Sequence, residues 1–372
     1  MDLSLSRFLD ILSYNYKGFQ AQITEVSVGE IYDDNVTFTD RNEKDDFITL
    51  TGFGLGIKYE GKSRSLDILG NVDYQTFAKN SDFNNITTDL FLNFKNEFSD
   101  HDRISLMNDF SYSDAPLFNQ GEGFFDDQFG RSQGRFEYFK NKLDLDYTRD
   151  MSKQLTAIAR YDNQIDLFSG SVTGLRDSFL NKLGLGAEYL FSSTTTSLFS
   201  YDFTNRRFEG GADASINEIT AGARQYLTKK IYFEGIAGVD FIDSFDDKNL
   251  TEPVIKTSLV YQKGADMLAR LSFEKRHDTS PYEEDIFDNW RTTASATRQV
   301  LERLRCSLSV FYGEGEYIAT NSDQRFLGMN STLLYDITKY LKGNFTYTYS
   351  DSDSEDDGYL RNTVFFGLTA GF

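Results

Sequence analysis

The sequence predicts an all-β fold, a transmembrane antiparallel up-and-down β-barrel of about 18 strands (about 16–18), with short periplasmic turns and longer extracellular loops. Three observations predict it. Apolar and polar side chains alternate with a two-residue period along nearly the whole chain, at a spacing of roughly 20 residues per segment. Low hydropathy coexists with high aromatic content, and the connections alternate between short and long.

Hydrophobic residues make up 39% of the 372, mean hydropathy is -0.47, and no apolar run reaches the roughly 18 to 20 residues that a spanning helix requires. A helical membrane protein is excluded. Aromatic residues are nevertheless 15%, with 34 Phe and 22 Tyr beside only 3 Pro, a β-rich inventory that disordered chains lack. A barrel facing lipid outside and water inside must be half apolar and half polar, which reconciles the two figures. The formal charge of -20 argues against nucleic acid as a partner, because phosphates attract basic surfaces. Cys306 is the single cysteine and cannot form an internal disulfide; on an apolar face it packs as a small hydrophobe.

Residues 1–17 break the alternation. Leu5, Phe8, Leu9 and Leu12 repeat at helical spacing, so this N-terminal periplasmic segment is expected to form a short helix, with a plug or an ordered tag remnant as alternatives. The barrel then takes residues 18–372, its first strand starting near residue 20. Met1 and Asp2 are not followed by the basic region and apolar core of a signal peptide, so the numbering is expected to describe a mature or recombinant chain.

Within the barrel, Leu155, Ala157, Ala159, Tyr161, Ile165 and Leu167 oppose Thr156, Arg160, Asp162, Gln164 and Asp166. Leu183, Leu185, Ala187, Tyr189 and Phe191 likewise oppose Lys182, Gly184, Gly186 and Glu188. Such segments run about 10 to 14 residues, long enough to cross a membrane when tilted. The short connections are Gly61-Lys62-Ser63, Asp100-His101-Asp102, Met151-Ser152-Lys153, Ser192-Ser193-Thr194, Thr228-Lys229-Lys230, Lys263-Gly264-Ala265, a turn around Glu302, and Thr338-Lys339. Longer polar segments lie between them at 33–45, 80–84, 114–134, 168–177, 206–214, 243–252, 276–286, 316–324 and 351–358. Both termini fall on the short-turn side. Pro116, Pro253 and Pro281 all fall in or at the edge of long connections, as residues that cannot donate to a ladder should.

The last segment sets Val364, Phe366, Leu368, Ala370 and Phe372 on one face. A terminal Phe preceded by alternate apolar residues resembles the C-terminal signal by which barrel-assembly machinery recognises its clients; an ordinary amphipathic strand is the alternative. At the other end, Tyr32-Asp33-Asp34-Asn35 precedes Asp46-Phe47-Ile48 and a strand alternating through Gly52, Gly54 and Gly56. This opening resembles that of outer-membrane β-barrel porins encoded with exopolysaccharide-export and exosortase systems. The resemblance implies localisation in the bacterial outer membrane and a pore passing a secreted polysaccharide, working with periplasmic polysaccharide-export proteins. The plain alternative for Asp33, Asp34 and Asn35 is a solvated turn.

No enzymatic activity and no cofactor are expected. His101 and His277 are placed in a periplasmic turn and an outer loop, at opposite ends of the barrel, and neither can serve a Ser-His-acid arrangement. Acidic clusters at Asp243, Asp246 and Asp247, at Glu283, Glu284 and Asp285, and at Asp351, Asp353, Glu355, Asp356 and Asp357 are read as solvated loops, with calcium or a divalent bridge to lipopolysaccharide as the alternative. Asp356 stands where an EF-hand turn needs Gly.

The functional candidates are the inward-facing charges Lys58, Asp73, Lys95, Arg103, Asp109, Lys142, Asp144, Arg160, Asp162, Lys182, Glu188, Arg224, Lys256, Arg270, Arg291, Arg305 and Arg361. Rows of both signs would make a wet, hydrogen-bonding wall suited to hydroxyl-rich or zwitterionic solutes; mutual pairing that merely fills the interior is the alternative. The longest connection, 114–134, with Phe118, Phe124, Phe125 and Phe129, is the expected constricting loop, or else a surface contact. The lipid-facing exterior would meet outer-membrane lipid and lipopolysaccharide. The expected function is an outer-membrane channel, with a diffusion porin and a plugged structural or adhesive barrel as alternatives.

Overall fold

The computed structural model describes residues 13–16, 18–114, 125, 129, 135–169, 175–211, 213–245, 249–282, 284–354 and 358–371. The strands are β1 (Ser13–Tyr16), β2 (Phe19–Asp33), β3 (Asp46–Glu60), β4 (Arg64–Phe77), β5 (Asn85–Glu97), β6 (Asp102–Ser113), β7 (Glu137–Asp150), β8 (Leu155–Ser169), β9 (Ser178–Ser192) and β10 (Thr195–Phe208). They continue as β11 (Asp213–Tyr226), β12 (Ile231–Asp243), β13 (Asn249–Lys263), β14 (Met267–Thr279), β15 (Ile286–Leu301), β16 (Leu304–Tyr317), β17 (Ser322–Asp336), β18 (Leu341–Ser354) and β19 (Tyr359–Ala370). Each of β2–β19 pairs antiparallel with its sequence neighbours, and β19 returns to β2, closing an 18-stranded ring. Closure removes the edges that strands of this length would otherwise expose.

The first strand departs from expectation. Ser13–Tyr16 is a strand and not a helix, pairing Tyr16 with Phe19 and Ser13 with Gln22. The β19 ladder on β2 ends at Ala370↔Val26, so β1 occupies the edge of β2 that β19 leaves open. Leu5, Phe8, Leu9 and Leu12 lie outside the described residues.

Alternation sorts the barrel into two surfaces. Val28, Leu55, Val72, Leu90, Leu185, Phe199, Leu259, Leu308 and Phe366 stand exposed on the outside, where lipid and not water must receive them. Outward Tyr59, Tyr147, Tyr189, Tyr261 and Tyr335 ring the short-turn end. Tyr32, Phe47, Tyr74, Phe110, Phe139, Phe179 and Trp290 ring the other. Two aromatic girdles bound an apolar band, as an interfacial ring with one greasy and one polar end should. Cys306 opposes Leu333 on the outer face. Of the C-terminal alternation, Val364, Phe366, Leu368 and Ala370 face outward on β19, and Phe372 lies outside the described residues.

One proline does enter a strand. Pro253 sits in β13 opposite Val239, whereas the sequence places it at a loop edge. The ladder between β13 and β14 starts only at Ile255↔Lys275, so at Pro253 the strand is paired on one side alone and a missing donor is tolerated.

The Tyr-Asp-Asp-Asn segment is not a solvated turn. Asp33 is fully buried and accepts Arg361 Nε and Nη2 at 3.1 and 2.6 Å. Asp34 accepts the Asn362 backbone N–H at 2.6 Å and its side-chain amide at 2.8 Å. Asn35 donates to the Thr39 and Leu360 carbonyls at 2.8 and 3.0 Å. The three residues therefore lock the first barrel strand to the last. Asp46 of the second motif is likewise buried, accepting the backbone N–H groups of Lys79 and Asn80 at 2.9 and 2.8 Å. It ties the β4–β5 connection to the top of β3.

Candidate functional site: the lumen and its extracellular end

Residues directly opposite in a ladder share a face, so the register fixes which side chains enter the lumen. Lys58, Asp73, Lys95, Arg103, Asp109, Lys142, Asp144, Arg160, Asp162, Lys182, Glu188, Arg224, Lys256, Arg270, Arg291, Arg305 and Arg361 all carry inward parity. Their environments divide into three sectors. On β4–β8 acids prevail: Asp67, Asp73, Asp89, Asp109, Asp144 and Asp162 face inward, with Lys142 3.6 Å from Asp144 and Arg160 3.7 Å from Asp146.

On β9–β15 the charges are largely paired. Lys182 is 3.8 Å from Asp202, Arg224 2.7 Å from Glu234, Lys256 2.7 Å from Glu218 and Arg291 3.4 Å from Glu274. At the short-turn rim Arg103 grips Asp150 with both guanidinium nitrogens, at 2.7 and 2.9 Å. Two of the predicted lining charges are not water-facing at all: Arg291 and Arg361 are 6% and 5% exposed. Each is folded onto a carboxylate, because an arginine leaving water needs its charge and donors satisfied.

On β16–β19 the charges stand at the two ends of the wall, Arg305, Asp336 and Lys342 near the short turns and Arg361 buried on Asp33 at the other end, and the stretch between them is uncharged. Ser309, Asn330, Thr348 and Thr363 form one row across four strands, and Ser307, Thr332 and Thr346 form the next. Asn330 Nδ2 donates to Thr348 Oγ1 at 3.0 Å, and the Thr332 and Thr346 hydroxyls meet at 3.1 Å. This is a wall of hydroxyls and amides.

The extracellular end is bridged. Above Lys275, β14 parts from β13 and its hairpin with β15 leans into the lumen. Its formally outward residues then meet the inner wall of β10–β12. His277 Nδ1 lies 2.8 Å from Asp240, Arg206 Nε donates to Thr279 at 3.1 Å, and Ile286 packs on Ala214, Ile216 and Ile242. Tyr282 at the tip reaches Phe136, Tyr138 and Phe168, while Glu284 pairs with Arg176 at 2.6 Å. His277 is therefore a buried strand residue, not one in an outer loop. The cause is the parting of the two strands, which turns a lipid-side position onto the interior.

An aromatic cluster fills the other half of the mouth: Phe38, Phe125, Phe129, Phe287, Phe311, Tyr317, Phe326 and Tyr359. Inward glycines make room for it. A Cβ on Gly328 would stand 2.5 Å from the Phe125 ring, one on Gly313 2.9 Å from Phe129, and one on Gly315 2.5 Å from Phe287. Phe125 and Phe129 of the expected constricting connection thus lie inside the lumen, and Phe118 and Phe124 lie outside the described residues. Gly328→Leu is expected to expel the Phe125 ring and cost about 1–3 kcal/mol as overpacking does. The urea midpoint followed by the single tryptophan, Trp290, measures it, and Phe125→Ala in the same chain should restore part of the loss.

Beneath the hairpin lies a cavity of about 290 Å3 lined by Lys182, Asp202, Arg206, Glu218, Lys256 and Arg276 among others. A second space of about 340 Å3 follows down the wall past Arg270 and Glu274, sharing Lys256, Arg276 and Arg291 with the first. Alternation alone does not single out Arg206, Asp240 or His277. The signal for them was polar residues at lipid-side parity near the top of β14. Of the acidic clusters read as solvated loops, Asp285 is buried and accepts backbone N–H groups of Ile286, Ala319 and Thr320, and Asp353 pairs with Arg325 at 2.7 Å. Asp246, Asp247, Glu283, Glu355, Asp356 and Asp357 lie outside the described residues.

A closed ring of 18 strands with an apolar, girdled exterior and a polar interior defines a transmembrane β-barrel of the outer-membrane type. No family model and no curated protein matches the sequence. Similar solved structures include Pseudomonas aeruginosa OpdQ (10% identity, TM-score 0.49, covering 95% of this chain and 99% of that one) and OccK5, also called OpdH (10%, 0.48, 95% and 98%). The siderophore receptor PirA of the same organism is similar at 10% identity and TM-score 0.44, covering 94% and 81%.

Proposed function

We propose that this barrel is an outer-membrane channel for a hydroxyl-rich polymer, a secreted exopolysaccharide, entered from the periplasm and closed by its inward-folded connections in the conformation described. The observation that carries the reading is the pair of hydroxyl and amide rows across the middle of the β16–β19 wall. Its rows offer donors and acceptors at every strand spacing without a charge that would hold a neutral sugar chain in place. The charged walls, acid-rich on β4–β8 and largely paired on β9–β15, keep the lumen wet. On this reading the chain has no catalytic residues, depends on periplasmic export proteins for delivery, and displays Val364, Phe366, Leu368 and Ala370 to the barrel-assembly machinery.

Current across a planar bilayer tests it. Neutral oligosaccharides added on the short-turn side should produce transient blockades, and replacing Asn330, Thr332 and Thr348 with Leu, Val and Val should shorten them. Blockades by simple anions or cations alone would favour a diffusion porin. The packing of aromatics and ion pairs across the mouth favours a second reading, a plugged structural barrel, which predicts no current under any treatment that leaves the strands folded.

A further inference from the structure

The lipid-facing surface is not uniformly apolar. On six consecutive strands one outward row reads Asn108, Leu143, Asn163, Asn181, Asn205 and Ser215, each directly opposite the next. Asn141 and Asn217 stand one outward step to either side. Apolar side chains flank the row above and below on β6–β9: Phe110, Phe139, Ile165 and Phe179 towards the extracellular end, Leu106, Leu145, Tyr161 and Leu183 towards the periplasm. On β6, β8 and β9 Asn108, Asn163 and Asn181 therefore sit below the upper aromatic girdle, Asn141 stands level with Phe110, and on β10–β11 the row reaches the extracellular rim beneath the Arg207–Asp213 pair.

Their hydrogen bonds use only part of their capacity. Asn108 Nδ2 donates to Asn141 Oδ1 at 3.1 Å and to the Lys142 carbonyl at 3.2 Å. Asn163 Nδ2 donates to Asn181 Oδ1 and the Leu180 carbonyl, both at 3.1 Å. Tyr161 and Tyr201 hydroxyls donate to Asn181 and Asn217 Oδ1 at 2.9 and 2.8 Å, and Asn205 Nδ2 to the Ala214 carbonyl at 3.2 Å. Among the described residues this leaves Oδ1 of Asn108, Asn163 and Asn205 without a donor and Nδ2 of Asn141, Asn181 and Asn217 without an acceptor. Facing hydrocarbon on β6–β9, each such group costs free energy that water would otherwise relieve.

We propose that the outward face of β6–β11 is where a second copy of this chain docks. Carboxamides complement one another, and a patch holding unused donors and unused acceptors is self-complementary across a two-fold axis. Hydrogen-bonding side chains hold membrane-embedded surfaces together in the same way. A glycolipid headgroup is disfavoured as occupant by the apolar residues that lie between the row and the extracellular end of β6–β9. The neighbouring outer face on β2–β5, with Val28, Leu55, Val72 and Leu90 exposed, has no carboxamide row; its outward polar groups Glu30 and Thr49 bond to each other at 2.9 Å.

Two measurements test this. Light scattering in detergent should show the native chain as an oligomer. Asn163→Leu with Asn181→Leu and Asn205→Leu should weaken association by about tenfold or more, while the heat-modifiable gel shift of a folded barrel is unchanged. In vesicles, Asn181→Cys in a Cys306→Ser background should form an inter-chain disulfide that Leu55→Cys in the same background does not. A native chain that is monomeric in both settings, equal cross-linking from the two faces, or glycolipid retained by a single chain and lost with the triple substitution would each overturn the proposal.

Discussion

Arg361→Ala is expected to destabilise the barrel by about 3–5 kcal/mol, the cost of stranding a buried carboxylate without its partner. Asp33 has no exposed surface, and Arg361 holds it with three short contacts beneath the Phe38 ring, whose centroid lies 4.2 Å from the guanidinium carbon. The pair joins residues separated by 328 positions, so it acts at the seam where the first barrel strand meets the last and where loop-closure entropy opposes pairing most. Arg361→Lys keeps the charge but loses the fork that places two nitrogens on one carboxylate, and its loss should be smaller. Replacing Arg361 and Asp33 together with leucine should cost far less than either single change, because no charge is then left alone. Urea midpoints of the refolded barrel in detergent measure all four proteins. If Arg361→Ala lowers stability by under about 1 kcal/mol, the pair is a surface contact and the seam is held elsewhere.

The seam also shows what a sequence conceals. Strand number, strand direction and inward parity were legible because each depends on a two-residue period that any ten-residue window displays. The placement of Lys58, Asp73 or Lys256 needs nothing beyond that period. A solvated turn stood open as the plain alternative for Asp33, Asp34 and Asn35 because their partners, Arg361 and Asn362, stand at the far end of the chain. The same holds for the mouth. Val36, Phe38 and Phe287 are large apolar residues in or beside segments read as exposed loops, a conflict that only burial resolves: they are 0%, 2% and 4% exposed. Inward Gly313, Gly315 and Gly328 were the complementary clue, since a missing Cβ on a lumen wall leaves a berth for a ring. His277 and Pro253 escaped for one shared reason. Parity arguments assume that neighbouring strands stay paired along their length, and β13 and β14 do not.

That parting of β13 from β14 is what a second large effect should expose. Replacing residues 277–288 with an Asn-Gly turn, which joins Arg276 directly to its ladder partner Asn289, is expected to raise single-channel current several-fold. The excision removes His277, Thr279, Tyr282, Glu284 and Phe287, and with them the contacts to Asp240, Arg206, the Phe136 cluster and Arg176. It leaves Arg206 bound to Asp166 and Ser178 at 2.9 and 2.7 Å, so the opposite wall keeps its own network. An Asn-Gly pair suits the twist of a two-residue hairpin, and an 18-stranded ring left without an inward hairpin encloses water. Tyr282→Ala with Glu284→Ala unlatches only the tip, and should give brief openings between closed periods. The contrast between these two variants separates a displaced gate from a widened leak. A current unchanged by the excision, with the heat-modifiable gel shift intact, would show that the aromatic cluster over Gly313, Gly315 and Gly328 is sufficient to close the mouth, and the hairpin would lose its role as the moving part.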